Sequence, residues 1–302
     1  MEQPINSVSI LVASYNTKPI YITECIDSII NQNGNFAIEL VWINDGTDKD
    51  GTLLLKQELQ RFQKTKKNAK VIYKKQSTNM GLSYCLHEGV LLCSNEIIFR
   101  MDSDDIMAPE RLNIQYNFMH NTPDCVLCGS DMITFTSNNN SFVSESALPI
   151  LGNESRKRSS ASPFRRCKVE GLSGPPTEPR GGSARFTTQN KKKISETNHP
   201  DKLTWEEYKL QKSEWILNHP TLCFRKWAIL EVGNYNKDLK LPFEDLDLEL
   251  RVLKKYECVY NLPEMLLMYR IHDNQISQIH KYNTKIIQKK KEYIDYITNT
   301  NN

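Results

Sequence analysis

Three carboxylates stand within four residues in the stretch RMDSDDIMAP, at Asp102, Asp104 and Asp105. Like charges this close repel each other, and each raises the pKa of the others. A solvated turn tolerates such crowding, whereas a bound divalent cation makes it favourable, because hard cations take carboxylate oxygens as ligands. The strands and helices around this stretch indicate whether it is a solvated turn or a cation site.

Apolar runs alternate with amphipathic stretches around the acidic cluster. The runs VSILVASYN, AIELVWINDG, AKVIYKK and NEIIFRMDSDD predict four buried strands. The stretches YITECIDSIINQ, TLLLKQELQRFQ and GLSYCLHEGVLLC have helical spacing, with Pro19 at the approach or first turn of the first helix. Strands that alternate with helices predict an α/β fold with a mostly parallel sheet covered on both faces.

Polar residues follow three of the predicted strands, at residues 14–16, 44–45 and 102–105. Ligands of such sheets bind beyond the carboxyl ends of the strands, so the three groups are expected on one edge. A merely solvated charge cluster has no reason to lie beside the two others. This placement favours a functional role for the acidic cluster.

Composition describes an ordinary globular chain. The 302 residues suffice for one large domain or two small ones, with 39% hydrophobic and 25% charged residues. The formal net charge of +3 is too small to indicate a nucleic-acid partner. The amino-terminal residues do not have the pattern of a secretory signal, and no apolar window reaches the length of a transmembrane helix.

Cysteine usage favours a reducing compartment. Of the eight cysteines, Cys125 and Cys128 form a C-x-x-C in CVLCGS, interpreted as the end of a buried strand. Plain buried thiols are favoured over a metal or redox role, and a cytoplasmic location is expected. The bias towards Lys, Asn and Ile suggests an AT-rich microbe or virus, in the latter case with the host cytoplasm as the location.

The character of the chain changes at about residues 151–190. Residues 151–186 contain six of the twelve arginines, no isoleucine and many Gly, Pro and Ser. This composition predicts a disordered insertion rather than a basic RNA- or acid-binding arm, and no catalytic role is assigned to it.

Ordered patterns return near residue 202. LTWEEYKLQKSEWILN has helical spacing, TLCFRK is strand-like, and KWAILEVGNYN predicts a short helix closed by Gly233. A helix is predicted after Pro242, and ECVYNLPEMLLMYRIHDNQIS predicts one or two strands ending at His272. Residues 281–302 form a basic helix and tail, which either packs on the core, the favoured interpretation, or contacts anionic membrane lipid peripherally.

Seven motifs in this order resemble those of the family 2 glycosyltransferases: VSILVASYN, WINDGT, NMGLSYCLHEGV, RMDSDD, NHPTLCFRK, FEDLDLELR and YRIHDNQIS. The resemblance covers about residues 5–135 and 205–280. It implies a GT-A fold, a single Rossmann-like nucleotide-binding domain over residues 1–280. It also implies an inverting hexosyl- or N-acetylhexosaminyl-transferase that uses a UDP-sugar, Mn²⁺ or Mg²⁺, and a glycan, protein or lipid-linked acceptor.

The resemblance gives the acidic stretch a D-x-D motif, Asp102-Ser103-Asp104, which Asp105 extends. One of these carboxylates is expected to hold the metal and a neighbour the ribose hydroxyls. Asp104 is the preferred metal ligand, and Asp102 is assigned to the ribose or to a metal-bound water.

Further donor contacts follow from the resemblance. Ala13, Ser14 and Tyr15 match the segment that lines the base and ribose, with Tyr15 either stacking on the base or serving as a structural tyrosine. Asp45 matches the carboxylate that accepts a hydrogen bond from the uracil imide, and its alternative is an ordinary Asp-Gly turn. Asn79 either contacts the nucleotide or caps the helix that follows.

The carboxyl-terminal motifs supply the remaining groups. Asp245 matches the general base and Glu244 is expected to orient the acceptor or pair with a cation. His272 matches a metal ligand or diphosphate contact, and Arg270 is the expected phosphate partner. His219 is expected to shape the acceptor side or to be a structural histidine.

Two other classes of protein are alternatives to an active glycosyltransferase. A catalytically silent descendant would bind UDP without turnover. A sugar-nucleotide pyrophosphorylase needs a Gly-rich amino-terminal loop, and ILVASYNTKP contains no glycine.

Overall fold

The computed structural model of the protein describes residues 6–137, 191–239, 242–273, 275 and 283–300. The Arg-rich segment expected at about residues 151–190, with Cys167, lies outside the described residues. The expectation that it is a disordered insertion stays a prediction.

Ten strands of the described residues form one mixed sheet, in the order β3-β2-β1-β4-β9-β6-β10-β5, with β7 beside β6 and β8 beside β10. The strands are β1 (Asn6–Ser14), β2 (Phe36–Asn44), β3 (Ala69–Lys75), β4 (Ile97–Asp102), β5 (Ile106–Met107), β6 (Leu127–Ser137), β7 (Lys191–Glu196), β8 (Lys202–Thr204), β9 (Cys223–Arg225) and β10 (Cys258–Arg270).

The first half of the sheet is parallel, as predicted. β3, β2, β1 and β4 run in one direction, and β6 and β10 are parallel to each other. β9 lies antiparallel between β4 and β6, so that β6 and β10 share the direction of the first four strands. The prediction of a mostly parallel α/β sheet is confirmed.

Helices cover both faces of this sheet. They are α1 (Pro19–Ile30), α2 (Lys49–Thr65), α3 (Leu82–Leu92), α4 (Arg111–Asn121), α5 (Trp205–Gln211), α6 (Lys226–Glu231), α7 (Glu244–Tyr256) and α8 (Thr284–Asn299), with a 3-10 turn at His219–Thr221. Proline opens α1, where its missing N–H costs nothing. Thr204 and Glu207 form a capping box at the start of α5.

Alternate side chains of the strands point into two cores. Leu11 and Ala13 of β1 belong to the core beneath α3, α7 and α8. Ile10 and Val12 belong to the core beneath α1, α2 and α4. This alternation explains why the central strands read as continuous apolar runs, since both faces of the sheet are buried.

The carboxyl ends of the central strands meet at one edge. In the register of β1 with its neighbours, Ala13 lies opposite Asp102 and Ser14 lies opposite Asn44. Asp45 follows directly, and its N–H donates to the Ser14 carbonyl. The expected meeting of the three polar groups is confirmed.

Two predictions about strands need correction. CVLCGS does not end a strand but opens β6, whose apolar run continues through MITF. The alternative of two strands before His272 is wrong, because β10 runs unbroken over 13 residues and accommodates the exposed Pro263 at a shift of register. The two C-x-x-C thiols are buried, as expected.

The carboxyl-terminal helix α8 packs on the core. This confirms the interpretation that the sequence analysis favoured for residues 281–302. Ile294 and Ile297 of α8 are buried, and Tyr293 donates a hydrogen bond to Asp247 of α7 at 2.6 Å. No helix among the described residues has the length and apolar character that crossing a bilayer requires.

Candidate active site

The acidic cluster is compact. One carboxylate oxygen from each of Asp102, Asp104 and Asp105 lies within 4.8 Å of the others. Asp102 ends β4, and the other two follow in the turn that leads to β5. Each carboxylate, however, has different partners, and these partners distinguish the roles that the three side chains can take.

Asp102 is held by a buried arginine. Both of its carboxylate oxygens face the Arg100 guanidinium, at 2.8 Å and 2.6 Å, and the Arg100 side chain is only 2% exposed. Burial nevertheless leaves the pKa of Asp102 above its usual value, because the charge of Asp104 adds to the desolvation while Arg100 opposes it. The bidentate pair fixes the orientation of Asp102.

Asp104 faces a histidine. Its Oδ2 lies 2.8 Å from Nε2 of His272, whose ring lies 5.4 Å from that of Tyr21. The His272 Nδ1 is buried and has no hydrogen-bond partner among the described residues. The structure therefore brings together two of the residues expected as metal ligands, the preferred carboxylate and the histidine.

Asp105 is fully buried, and only one of its two carboxylate oxygens has a hydrogen-bond partner among the described residues. Its Oδ1 accepts from the Arg270 backbone N–H at 2.8 Å, while Oδ2 has no hydrogen-bond partner among the described residues. Burial, followed by the charges of Asp104 and Asp102, raises the pKa of Asp105 well above its usual value. A buried carboxylate of this kind is unfavourable without a cation nearby.

The Arg270 side chain lies inside the protein rather than at its surface. Its exposed fraction is 0%, and its guanidinium donates to the Asp104 carbonyl at 2.7 Å and pairs with Glu24. Its Cζ also lies 4.2 Å from the centroid of the Tyr21 ring. These contacts make Arg270 a support of the acidic turn, and direct contact with a diphosphate stays a prediction.

Asp45 organises the loop before α3. Its two carboxylate oxygens accept from the backbone N–H groups of Met80 and Gly81, at 2.7 Å and 2.9 Å. Gly46 has a φ of +82° and no room for a Cβ against Thr78, so glycine is required there. Asp45 is thus more than part of an ordinary turn, because it fixes a second loop at the same edge.

The other predicted donor contacts surround this loop. Ser14 is buried and accepts a hydrogen bond from the Trp42 indole at 2.8 Å, and Ala13 is buried beside Asp102. Tyr15 is 51% exposed, which fits both stacking on the base and the role of a partly buried structural tyrosine. The capping alternative for Asn79 is wrong, because Gly81 is the N-cap residue of α3 and no side chain caps this helix.

A second pair of carboxylates opens α7. Glu244 lies near the buried His219, with 4.0 Å between its Oε1 and the histidine Nδ1. His219 Nε2 lies 2.9 Å from the Tyr235 hydroxyl, and burial lowers the pKa of His219 well below its usual value. Burial and the charge of Asp245 raise the pKa of Glu244 to about 8. The position of His219 fits both of its predicted roles.

The two carboxylate groups influence each other. The charge of Asp245 contributes to the raised pKa of Asp102, and the charge of Asp102 contributes to that of Glu244. The Arg100 guanidinium opposes both effects. The end of β4 and the start of α7 therefore border one site, although more than 100 residues separate them in sequence.

Two arginines of this site were not predicted. Besides Arg100, the fully buried Arg111 donates to the carbonyls of Arg100 and Pro220, at 2.8 Å and 3.0 Å. Burial lowers the pKa of Arg111 to about 10. These contacts join β4 to the turn that carries His219, and no local pattern marks such a residue, because arginine is usually exposed.

The donor set of the acidic cluster fits a hard divalent cation. Carboxylate oxygens suit Mn²⁺ and Mg²⁺, and imidazole suits Mn²⁺. The unpartnered Oδ2 of Asp105 points to a missing positive charge. Since Arg100 occupies both oxygens of Asp102, the geometry favours Asp104 and His272 as ligands.

Comparisons with known proteins agree with this geometry. The model of the family "Glycosyl transferase family 2" matches residues 9–174. The amylovoran biosynthesis glycosyltransferase AmsE of Erwinia amylovora is 25% identical over 276 residues, which cover 91% of this chain and 80% of that protein. The O-antigen biosynthesis glycosyltransferase WbnJ of Escherichia coli is 26% identical over 272 residues, 89% of this chain and 81% of that protein.

Solved structures of glycosyltransferases share the GT-A fold with this chain. Residues 1–349 of S. aureus TarS, in complex with UDP-GlcNAc, match with a TM-score of 0.59 and 14% identity over 96% of this chain. The mannosyltransferase PcManGT of Pyrobaculum calidifontis, in complex with GDP-Man and Mn²⁺, matches with a TM-score of 0.59 and 11% identity over 97% of it. The chain spans 66% and 65% of those two structures, slightly less than two thirds in each case.

Proposed function

The chain belongs to glycosyl transferase family 2 and is a glycosyltransferase, and from this we propose that it transfers a hexosyl or N-acetylhexosaminyl group from a UDP-sugar to an acceptor hydroxyl. We propose that the transfer depends on a divalent cation and inverts the anomeric centre. The observation that carries the proposal is the approach of β4 to the start of α7: the Arg100 N–H donates to the Leu222 carbonyl at 2.8 Å, beside the turn whose His219 lies 4.0 Å from Glu244.

The donor nucleotide is proposed to lie along the carboxyl ends of β1, β2 and β4. Asp45 keeps acceptor capacity for a uracil imide, since each carboxylate oxygen has two lone pairs and uses one for a backbone N–H. The exposed Tyr15 can stack on the base. Asn79 lies exposed in the loop that Asp45 fixes, where it can contact the nucleotide.

Asp102 is proposed to bind the ribose hydroxyls. Arg100 orients its carboxylate, which retains lone pairs for hydroxyl donors. Ser103 supports the turn, because its hydroxyl lies 2.7 Å from that of Thr17 at the end of the β1 loop. The two donor loops are thereby joined.

Asp104 and His272 are proposed to hold Mn²⁺ or Mg²⁺, with Asp105 and Asp102 adding negative charge. The cation, when bound, neutralises charge that develops on the leaving diphosphate. Among the described residues only Oδ2 of Asp104 has a hydrogen-bond partner, so Oδ1 is available to the cation, whereas the Arg100 pair engages both oxygens of Asp102.

Asp245 is proposed to take the proton of the acceptor hydroxyl. Its Oδ1 accepts from the Leu246 N–H at 2.7 Å, which holds the carboxylate at the first turn of α7. Glu244, whose pKa of about 8 keeps it mainly protonated at neutral pH, can donate a hydrogen bond and orient the acceptor. Glu244 can therefore position the acceptor hydroxyl while Asp245 takes its proton.

The acceptor is proposed to be a growing glycan, free or linked to a lipid. The names of two relatives refer to amylovoran biosynthesis and O-antigen biosynthesis, which are glycan pathways. A protein hydroxyl is the alternative. A cytoplasmic location is proposed from the seven described cysteines, all of which are free thiols.

The test is UDP release from a panel of UDP-sugars, with Mn²⁺ and with EDTA, for the wild type and for Asp104→Asn and Asp245→Asn. Release that needs metal and is lost in Asp104→Asn supports the proposal and names the donor. UDP binding without release from any donor would indicate a silent descendant. Full activity in both variants would exclude the proposed site.

A further inference from the structure

Trp215 lies between α5 and the 3-10 turn, where its backbone is fixed and its indole is exposed. Its side chain is 53% exposed. The Ser213 hydroxyl donates to the Trp215 carbonyl at 2.7 Å and accepts from the Trp215 N–H at 3.1 Å, which fixes the backbone. The ring of His199 meets the indole at an angle of 81°, with 5.0 Å between centroids.

The surroundings of Trp215 are held by polar contacts rather than by chance packing. His199 Nε2 lies 3.3 Å from Oδ1 of Asn218. The buried Asn218 donates to the Ser130 carbonyl at 2.7 Å and to the Thr197 hydroxyl at 2.9 Å. A tryptophan that is presented to solvent on such a frame loses little conformational entropy when a ligand binds.

The chain leads from Trp215 directly to the candidate catalytic carboxylates. His219 lies four positions after Trp215, a distance of at most about 14 Å for extended chain. Leu217 donates its N–H to the buried Glu249 of α7 at 3.2 Å, and His219 lies 4.0 Å from Glu244. Trp215 is thus within reach of a short glycan whose hydroxyl lies at Asp245.

We propose that Trp215 and His199 form a subsite for a sugar ring of the acceptor glycan. One face of a pyranose carries C–H groups that pack on an indole, and its hydroxyls need polar partners at the edge of the ring. The indole and the imidazole supply these two features side by side. This inference rests on the proposed glycosyltransferase reaction and adds where the acceptor is held.

Trp227 provides a matched control within the same chain. It is 48% exposed, and its ring meets Tyr256 edge-on at 84°, with 5.9 Å between centroids. It lies at the start of α6, where the Lys226 N–H donates to Glu96 just before β4. This is the amino-terminal end of the strand whose other end carries Asp102, so Trp227 is remote from the proposed subsite.

The binding test uses tryptophan fluorescence with methyl glycosides of glucose, galactose and N-acetylglucosamine, together with lactose and cellobiose. At least one of these glycans is expected to change the fluorescence of the wild type and of Trp227→Phe. The response is expected to be lost in Trp215→Ala. A response that persists in Trp215→Ala, or no response to any of these glycans, would overturn the inference.

The kinetic test uses the best donor and the best of these glycans as acceptor. Trp215→Ala is expected to raise the acceptor KM by about tenfold, which corresponds to about 1.4 kcal/mol. Trp215→Phe is expected to restore most of the affinity, and Trp227→Ala is expected to behave as the wild type. Equal acceptor KM values for the two alanine variants would contradict the subsite.

Failure of the proposed function is separable from failure of the subsite. Absence of metal-dependent UDP release by the wild type, without acceptor, contradicts the proposed reaction alone. Fluorescence still reports glycan binding in that case.

Discussion

Glu39 and Asp105 are buried carboxylates of the same sheet, yet their surroundings are opposite. Glu39, towards the amino-terminal ends of the strands, is 4% exposed and accepts from the Ser9 hydroxyl, from both the N–H and hydroxyl of Ser94, and from Lys70. Asp105, at the carboxyl-terminal edge, is 0% exposed and leaves one oxygen without a hydrogen-bond partner among the described residues.

The pKa values of Glu39 and Asp105 shift in opposite directions because their hydrogen-bond partners differ. Burial alone would raise the pKa of Glu39, but the hydrogen bonds from Ser94, Lys70 and Ser9 together bring it below its usual value. Burial raises the pKa of Asp105, and the charges of Asp104 and Asp102 raise it further. The fold supplies Glu39 with donors for both of its carboxylate oxygens, whereas it leaves Oδ2 of Asp105 without a donor among the described residues.

The largest expected effect is on the rate of transfer, and it distinguishes a catalytic carboxylate from a structural one. Asp245→Asn should lower transfer by roughly 10²–10⁴-fold, because a general base contributes about this much. Glu39→Gln should keep full transfer per folded molecule at low temperature. Steady-state assays of UDP release with acceptor measure both variants, and circular dichroism checks that each is folded. Transfer by Asp245→Asn at the wild-type rate would remove Asp245 from the mechanism.

The next effect is one of stability. Glu39→Gln should lower the free energy of unfolding by roughly 2 kcal/mol, because buried donors lose a charged acceptor. Urea unfolding of the wild type and the variant measures this difference. An unchanged midpoint would show that the four contacts of Glu39 contribute nothing net.

Asp105→Asn should change stability in the other direction. In EDTA at pH 8 the neutral amide removes the cost of burying a carboxyl group whose pKa the folded state raises, so the melting temperature should rise above that of the wild type. In the presence of Mn²⁺ this gain in melting temperature should shrink or reverse, because only the wild type keeps all three carboxylates of the acidic cluster for the cation. A lower melting temperature in EDTA would contradict the contrast with Glu39.

A further effect concerns pH and Glu244. Between pH 4.5 and about 8 the folded state keeps the Glu244 proton, while the unfolded state releases it. Rising pH therefore favours unfolding through this group. Glu244→Gln removes the effect, so its free energy of unfolding relative to the wild type should increase from pH 5 to pH 8 and level off above that. A difference independent of pH would show that the pKa of Glu244 is ordinary.

Much of the first half of the fold could be predicted from the sequence, because alternating apolar strands and amphipathic helices carry a clear period. The helix α4 was missed, since its buried positions include Arg111 and Gln115, which interrupt the apolar pattern. The exposed edge strand β7, with the sequence KKKISE, has no apolar alternation either.

The candidate site likewise contains residues that the sequence reveals and residues that only the fold reveals. The carboxylates and His272 were found because their types and order are visible in the sequence. Arg100 and Arg111 could not be found, because their roles depend on burial between β4, α4 and the 3-10 turn, which only the fold creates. Burial also gives Arg270, the expected phosphate partner, a contact with the acidic turn that the sequence does not reveal.

Calorimetric titration of Mn²⁺ in the presence of UDP tests the central claim most directly. The wild type and Glu39→Gln should bind one ion with similar affinity, and Asp104→Asn should bind at least about tenfold more weakly, a loss of about 1.4 kcal/mol. Equal Mn²⁺ binding by Asp104→Asn and the wild type, or no binding by the wild type, would show that the acidic cluster is not a metal site.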